Sequence, residues 1–210
     1  MELPATLAFF PIFFLGKNCF ETVPLILCFI WFVHYGNRGF LFPLSMRVHP
    51  DAKKTFNILV VSIGMLVTAI HGYLNARYFS EISTQYTIDW LSDPRFIIGI
   101  IIYYYGFINN LRSDQILRNL RPKDGEEIAA EDRYKIPYGG WFKYVSCPQY
   151  LSELIAWTGF AIFTWSPGGI FILGISAANL IPRAFQTHKW YKEKFPDYPK
   201  ERKALIPFLA

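Results

Sequence analysis

The sequence predicts an all-α, polytopic membrane helix bundle, and three observations carry that prediction. Of the 210 residues, 52% are hydrophobic and 19% aromatic, with a positive mean hydropathy; this is more apolar surface than one soluble core of this size can hide, so lipid must cover part of it. The apolar residues fall into six stretches separated by turn chemistry. Finally, 18 of the 21 Lys and Arg residues lie in three segments that alternate with those stretches. The first segment holds Arg38, Arg47, Lys53 and Lys54. The second holds Arg112, Arg118, Arg121, Lys123, Arg133, Lys135 and Lys143, and the third holds Arg183, Lys189, Lys192, Lys194, Lys200, Arg202 and Lys203. Only Lys17, Arg77 and Arg95 occupy the other connections, so the positive-inside bias puts the three basic segments together on the cytoplasmic side.

The expected helices run over 4–16, 22–42, 55–79, 94–118, 145–166 and 168–188, about six in one membrane domain spanning 1–210. The first is shorter than the roughly 20 residues needed to cross a bilayer and contains Pro11, which predicts a tilted or partial helix packed against others. Gly16-Lys17-Asn18 ends it, Ser92-Asp93-Pro94 opens the fourth, and Ser166-Pro167-Gly168-Gly169 folds the last two into a tight hairpin. The uncharged stretch from Leu154 to Pro182 is 29 residues. That is too short for two crossings at about 1.5 Å per residue, so both helices extend into polar flanks. Between the fourth and fifth helices, Lys123-Asp124-Gly125-Glu126-Glu127 reads as an exposed loop, followed by the aromatic turn Tyr134-Lys135-Ile136-Pro137-Tyr138-Gly139-Gly140-Trp141-Phe142.

Several function classes drop out on composition. The formal charge of +5 is distributed beside membrane spans rather than on one soluble module, which argues against nucleic acid and for anionic headgroups or a phosphorylated cofactor. Cys19, Cys28 and Cys147 are odd in number and widely spaced, which indicates neither a disulfide framework nor a metal site. The opening Met-Glu-Leu-Pro is acidic where a secretory signal is basic, so the first apolar run is expected to belong to the mature protein.

The chemistry-bearing residues gather at helix ends. Asn110, Asp114, Arg118 and Arg121 follow a spacing that puts them on one helix face, which reads either as the amphipathic end of a helix leaving the membrane or as part of a buried polar site. Glu153 and Arg183 lie at the same cytoplasmic ends of the next helices, with His188 and Tyr191 one and two turns beyond Arg183. Such a set matches a dinucleotide: Arg for phosphate, carboxylate and amide for ribose hydroxyls or a carboxamide. No Gly-x-Gly-x-x-Gly occurs, so a Rossmann site is excluded. Glu2, just before Pro4, reads either as an anion at a helix amino terminus or as a protonated acid that donates to a carbonyl. Tyr35 reads as an interfacial anchor or as the partner of Glu2 in an oxyanion-type clamp.

At these residues the sequence resembles the steroid 5α-reductase family, the 3-oxo-5-alpha-steroid 4-dehydrogenases. The likeness is carried by Glu2-Leu3-Pro4, His34-Tyr35 with Arg38, Asp93-Pro94-Arg95-Phe96-Ile97-Ile98-Gly99, Ser113-Asp114-Gln115-Ile116-Leu117-Arg118, and Tyr134-Lys135-Ile136-Pro137 with Gly139-Gly140. The most specific part is the tail Asp197-Tyr198-Pro199-Lys200-Glu201-Arg202-Lys203-Ala204-Leu205-Ile206-Pro207-Phe208. The resemblance implies an NADPH-dependent reductase of the C4–C5 double bond in a 3-oxo-Δ4-steroid or related lipid enone. It implies that Glu2 and Tyr35 hold the 3-oxo group, and that Asn110, Asp114, Arg118, Arg121, Tyr134, Lys135, Glu153, Arg183, His188 and Tyr191 contact NADPH. The family carries seven helices, one of them before the Glu-Leu-Pro motif at which this sequence starts. Lys135 stands where a family Arg is familiar and Gln149 where an Asn is, while Gln186 and Thr187 interrupt a His-rich stretch, leaving His188.

The expected partners are a steroid or lipid-like enone and membrane lipid, with the chain acting as a monomer. Its expected location is a bacterial inner membrane, or the endoplasmic reticulum if eukaryotic, with the cofactor site cytoplasmic. The competing readings are a membrane methyltransferase of the isoprenylcysteine type, which needs an adenosylmethionine pocket, and a transporter, whose polar residues should line a path through the midplane. Single cysteines introduced at Lys123 and Gly168 are expected to label from opposite sides of the membrane; labelling from one side overturns the topology.

Overall fold

The computed structural model describes residues 2–47, 57–122 and 134–209. Lys53, Lys54, Arg133 and the Lys123-to-Glu127 loop lie outside the described residues. Among the described residues the regular structure is helical, with one isolated parallel bridge, Val145 to Lys203, and no strand. The helices are α1 (Leu3–Phe14), α2 (Thr22–Gly36), α3 (Phe42–Ser45), α4 (Ile58–Arg77), α5 (Pro94–Asn119), α6 (Pro148–Thr164) and α7 (Pro167–Lys194). A π-helical turn, Asn37–Leu41, joins α2 to α3 without a break, and a second, Tyr78–Ile82, extends α4. The six expected stretches are therefore all present. The last runs further than expected, to Lys194, because the next breaker after Pro182 is Pro196, which disfavours helical conformation at Phe195.

Thr22–Ser45, Ile58–Ile82 and Pro167–Lys194 are long and apolar enough to cross a membrane by length and composition. The outer side of α4 is open and apolar at Ile58, Leu59, Val60, Ile63 and Leu66, as a lipid-facing surface requires. The α1 helix has 12 residues, fewer than the roughly 20 that a full crossing needs. These helices make the chain an integral membrane protein.

The chain divides into two compact units. The first comprises 1–46, 52–99 and 161–172. Here α1 packs along α4, and Gly72 sets how closely: a Cβ at that position would sit 2.4 Å from the carbonyl oxygen of Ala5. The turn after α1 is tied to the far end of α4 by Asn18 N–H donating to the Ser80 carbonyl at 2.8 Å and Lys17 N–H to Glu81 Oε2 at 2.9 Å. Asn57 caps α4, its Oδ1 accepting from the backbone N–H groups of Leu59 and Val60. The last carbonyls of α6, which have no partner within the helix, are taken up by side chains. Trp90 Nε1–H donates to Phe163 at 3.1 Å, and both Tyr86 O–H at 2.7 Å and Gln85 Nε2–H at 2.9 Å donate to Thr164. Ahead of α5, Asp93 accepts from the Arg95 backbone N–H and from its guanidinium, which holds the Asp93 carboxyl down at about 2.

The second unit comprises 47–51, 100–160 and 173–210. Its α5 and α6 meet at Gly106, where a Cβ would fall 2.4 Å from the Ala156 nitrogen and 2.6 Å from the Ser152 carbonyl oxygen. The turn before α6 takes Gly139 to φ 97° and Gly140 to φ 50°, conformations that favour glycine, most strongly at Gly139. The tail lies alongside that turn: Ser146 N–H donates to the Lys203 carbonyl, Lys203 N–H to the Tyr144 carbonyl, and Cys147 N–H to the Ala204 carbonyl. Cys147, Ala184 and Leu205 form a small core beneath it, and burial pushes the Cys147 thiol up to about 12.

Helix propensity favours Ala over Gly by about 1 kcal/mol, but a clash with rigid backbone typically costs about 1–3 kcal/mol. Gly106→Ala is therefore expected to lower the thermal unfolding midpoint of the detergent-solubilised protein. An unchanged or raised midpoint means that α5 and α6 do not touch at Gly106.

Candidate active site

Two polar groups carry the sequence-predicted residues, one in each unit. In the first, Glu2 is the half-buried N-cap residue of α1, and its side chain makes no capping hydrogen bond. The helix dipole is then what remains to favour an anion at this position. Tyr35 lies in the last turn of α2 and is buried. Its ring stands 4.6 Å from Trp31 and 6.0 Å from His71, centroid to centroid. The two residues are drawn to one end of the unit by two close approaches. Leu3 Cα lies 3.9 Å from where a Cβ of Gly39 would be, and Gly39 follows Tyr35 by four residues; Ala5 lies against Gly72, next to His71. The start of α1, the end of α2 and the middle of α4 thus share this end.

In the second unit, Asn110 is buried on α5 one turn after Gly106 and donates through Nδ2 to the Gln149 carbonyl at 2.8 Å. The close packing that Gly106 permits is what lets so short a side chain reach α6. Gln149 Oε1 is itself buried with no hydrogen-bond partner, leaving a spare acceptor beside Asn110. Asp114 and Arg118 follow at one and two turns, both half-buried. Arg121 is exposed just past α5, where it and Arg47 clasp each other: Arg121 Nη1–H donates to the Arg47 carbonyl at 2.9 Å and Arg47 Nη1–H to the Arg121 carbonyl at 3.4 Å.

From α6 and α7 come the others. Glu153 is half-buried on α6, and Arg183 of α7 stands 5.7 Å over the ring of Tyr150, three residues before Glu153. Tyr134 packs its ring edgewise on Trp190 at 5.2 Å, and Lys135 beside it is exposed. His188 and Tyr191 are joined through the tail. Ser146 Oγ is 2.6 Å from His188 Nδ1 and 2.6 Å from the Tyr198 hydroxyl, and Tyr191 stacks on Tyr198 at 5.2 Å with 12° between the rings. Arg202 is buried with its guanidinium 4.9 Å from the Tyr138 ring and 5.3 Å from Tyr198.

The structure therefore connects Asn110 to α6, Arg183 to the Glu153 face, and His188 to Tyr191. Sequence reasoning passed over Ser146, Arg47, His71 and Asn75, and it gave Tyr198 and Arg202 no role beyond their place in the tail motif. Of these only Tyr198 and Arg202 carried a signal, being an aromatic and a cation in a short Pro-containing segment. No side-chain pattern in the sequence links Ser146 to His188, 42 residues away. Groups of three or more metal-ligating side chains are absent among the described residues.

The model of the 3-oxo-5-alpha-steroid 4-dehydrogenase family matches residues 52–210. Over 185 residues the chain is 41% identical to the Bos taurus protein 3-oxo-5-alpha-steroid 4-dehydrogenase 1, covering 88% of this chain and 68% of that one. The Mus musculus counterpart is 42% identical over 184 residues, again covering 88% of this chain and 68% of the relative. Along its whole length the chain is 37% identical to steroid 5-alpha-reductase DET2 of Solanum lycopersicum, of which it covers 78%. Matches of this extent, on a helical membrane protein with a polar set at its helix ends, mean that the chain belongs to the steroid 5α-reductase family.

Proposed function

We propose that this enzyme reduces its steroid with NADPH, holding the substrate ketone with Glu2 and Tyr35 and the cofactor with the polar set of the second unit. As a family member the chain is an oxidoreductase that reduces the C4–C5 double bond of a 3-oxo-Δ4-steroid, with a nicotinamide cofactor as reductant. That assignment removes the methyltransferase and transporter readings. The observation that carries the finer proposal is the convergence of the Glu2 end of α1 and the Tyr35 end of α2 on one turn of α4.

The residues of the second unit fit a dinucleotide. Arg118, Arg121 and Arg183 supply cationic donors for phosphates, Asn110 and the spare Gln149 Oε1 an amide pair suited to hydroxyls or a carboxamide, and the Tyr134, Trp190, Tyr191 and Tyr198 rings flat surfaces. Lys135, Asp114, Glu153 and His188 complete the proposed contacts. The bound cofactor supplies the hydride that C5 accepts. Glu2, as the neutral acid, and Tyr35 donate hydrogen bonds to the 3-oxo oxygen, where negative charge grows as C5 is reduced, and protonation at C4 completes the reaction. Burial of Tyr35 excludes water and strengthens those bonds. The segregation of Lys and Arg supports a cytoplasmic cofactor site, and the chain is proposed to act as a monomer.

The Arg-rich set has more positive charge than a pyrophosphate requires, so NADPH is expected to bind more tightly than NADH. A charge-assisted hydrogen bond is worth about 1.5–3 kcal/mol, so Arg121→Ala is expected to weaken NADPH about tenfold or more by equilibrium titration. An unchanged affinity removes Arg121 from the site.

Glu2 makes the sharper test, because a cap needs a carboxylate and the clamp needs a donor. Glu2→Gln is expected to keep more reductase activity than Glu2→Ala, with cofactor binding nearly intact in both. Loss of one oxyanion donor typically lowers the rate about a hundredfold or more. Wild-type turnover of a Δ4-3-ketosteroid by folded Glu2→Ala would falsify the clamp.

A further inference from the structure

His71 is fully buried in the middle of α4, outside both the proposed ketone clamp and the proposed cofactor contacts. One turn on, Asn75 is equally buried, and its Nδ2 lies 2.9 Å from the His71 carbonyl oxygen and 2.9 Å from His71 Nδ1. These two distances settle the chemistry. A backbone carbonyl only accepts, so the amide atom facing it is the nitrogen, and the flipped amide is excluded. The second hydrogen of that nitrogen points to Nδ1, which must therefore accept. The imidazole is neutral and its proton sits on Nε2. Gly168 keeps the arrangement in place: a Cβ there would come within 2.7 Å of Asn75 Oδ1 and 2.8 Å of its Nδ2, so a larger residue would displace the amide.

The ring so fixed stands 4.7 Å from Trp31 and 6.0 Å from Tyr35, and the next residue, Gly72, abuts Ala5 in the first turn of the helix that Glu2 begins. His71 thus occupies the turn of α4 on which both proposed clamp residues converge. A polar side chain in an apolar span is costly unless it has a task, and a tautomer locked by a second buried polar residue is a costly way to fill space.

We propose that His71 is a third hydrogen-bond donor to the 3-oxo oxygen of the steroid, through Nε2–H, and that Asn75 is the positioning residue that keeps the proton there. The inference rests on the assignment of Glu2 and Tyr35 as the ketone clamp. No proton is transferred from the ring: it stays neutral and stabilises the charge that grows on the oxygen during hydride acceptance.

The test is a binding comparison on the full chain in detergent, saturated with oxidised cofactor. The two probes are a Δ4-3-ketosteroid and the same steroid lacking the 3-oxo group. His71→Phe keeps the ring and removes the donor, and it is expected to weaken the ketosteroid about tenfold while leaving the 3-deoxy steroid and the cofactor within about twofold. Asn75→Leu frees the tautomer and is expected to act in the same selective direction, more weakly. If His71→Phe does not bind cofactor because it fails to fold, Asn75→Leu decides. Equal losses for both steroids mean a packing role and overturn the proposal, as does no loss for either. Tyr35→Phe, run in parallel, separates the two readings. A selective loss in Tyr35→Phe without one in His71→Phe sinks His71 alone, whereas no selectivity in either sinks the clamp as well.

Discussion

Close contact between helix backbones is the constraint on which the rest of this molecule depends. Lipid gives two apolar helices little reason to associate, since hydrocarbon covers their side chains as well as a neighbour does, so association rests on packing at short range and on polar contacts across the seam. Glycine supplies the short range. Gly16 lies against Ser80, Gly72 against Ala5, Gly106 against Ser152 and Ala156, and Gly168 against Asn75, each at a separation that any Cβ would violate. Three of these contacts stand next to a polar group of the proposed site. Gly106 is one turn from Asn110, Gly72 is next to His71, and Gly168 touches the amide that orients His71. Where the backbones approach, short polar side chains can reach the neighbouring helix, and short side chains lose little freedom when fixed.

The second requirement is that the backbone groups left open at helix ends and turns find partners, and the chain supplies many of them from distant segments. The carbonyl ends of α6 receive Gln85, Tyr86 and Trp90 from 73 to 79 residues away. In the second unit the tail performs the equivalent service through backbone pairing with Tyr144, Ser146 and Cys147 and through Tyr198, whose hydroxyl meets Ser146 as Ser146 meets His188. The tail is therefore a structural part of the polar set, and its motif-like sequence reflects two duties. Its backbone fixes the turn before α6, and its Tyr198 and Arg202 build the aromatic and cationic wall beside Tyr191.

How much of this was legible in the sequence depends on the range over which each feature is encoded. Helix positions were readable because their determinants are local: Ser92-Asp93-Pro94 at a helix start, Gly16-Lys17-Asn18 and Ser166-Pro167-Gly168-Gly169 at turns, and long apolar runs between. The polar set was readable in part because Asn110, Asp114, Arg118 and Arg121 lie on one helix, where spacing alone gives a shared face. Two kinds of feature were hidden. Those that depend on pairing across distance, such as Val145 with Lys203 and Ser146 with His188, have no periodic signature. The pair His71 and Asn75 does have helical spacing, but it sits in an apolar stretch with Thr68 and Ser62, and only the donor geometry separates a locked tautomer from an incidental polar residue. The π-helical turns at Asn37–Leu41 and Tyr78–Ile82 were likewise invisible, since they leave the apolar pattern nearly unchanged.

On the proposed assignment, the distribution of charge between the two groups follows from what each would bind. Phosphates are anionic before, during and after the reaction, so cations on exposed or half-buried positions such as Arg121, Arg118 and Arg183 would serve them without the cost of full burial. A ketone is neutral in the ground state and negative only as hydride arrives. A buried cation beside it would be a charge without a partner in the free enzyme, at the desolvation cost that makes such groups rare. Tyr35 and His71, both buried and neutral, avoid that cost and still respond to the growing charge, because a fixed N–H or O–H dipole interacts weakly with a carbonyl and more strongly with an oxyanion. The gain is largest where water is excluded, which the packing of Trp31, Tyr35 and His71 achieves. Fixing the imidazole proton through Asn75 extends the same logic by one residue: a donor oriented during folding need not be reoriented when the charge appears.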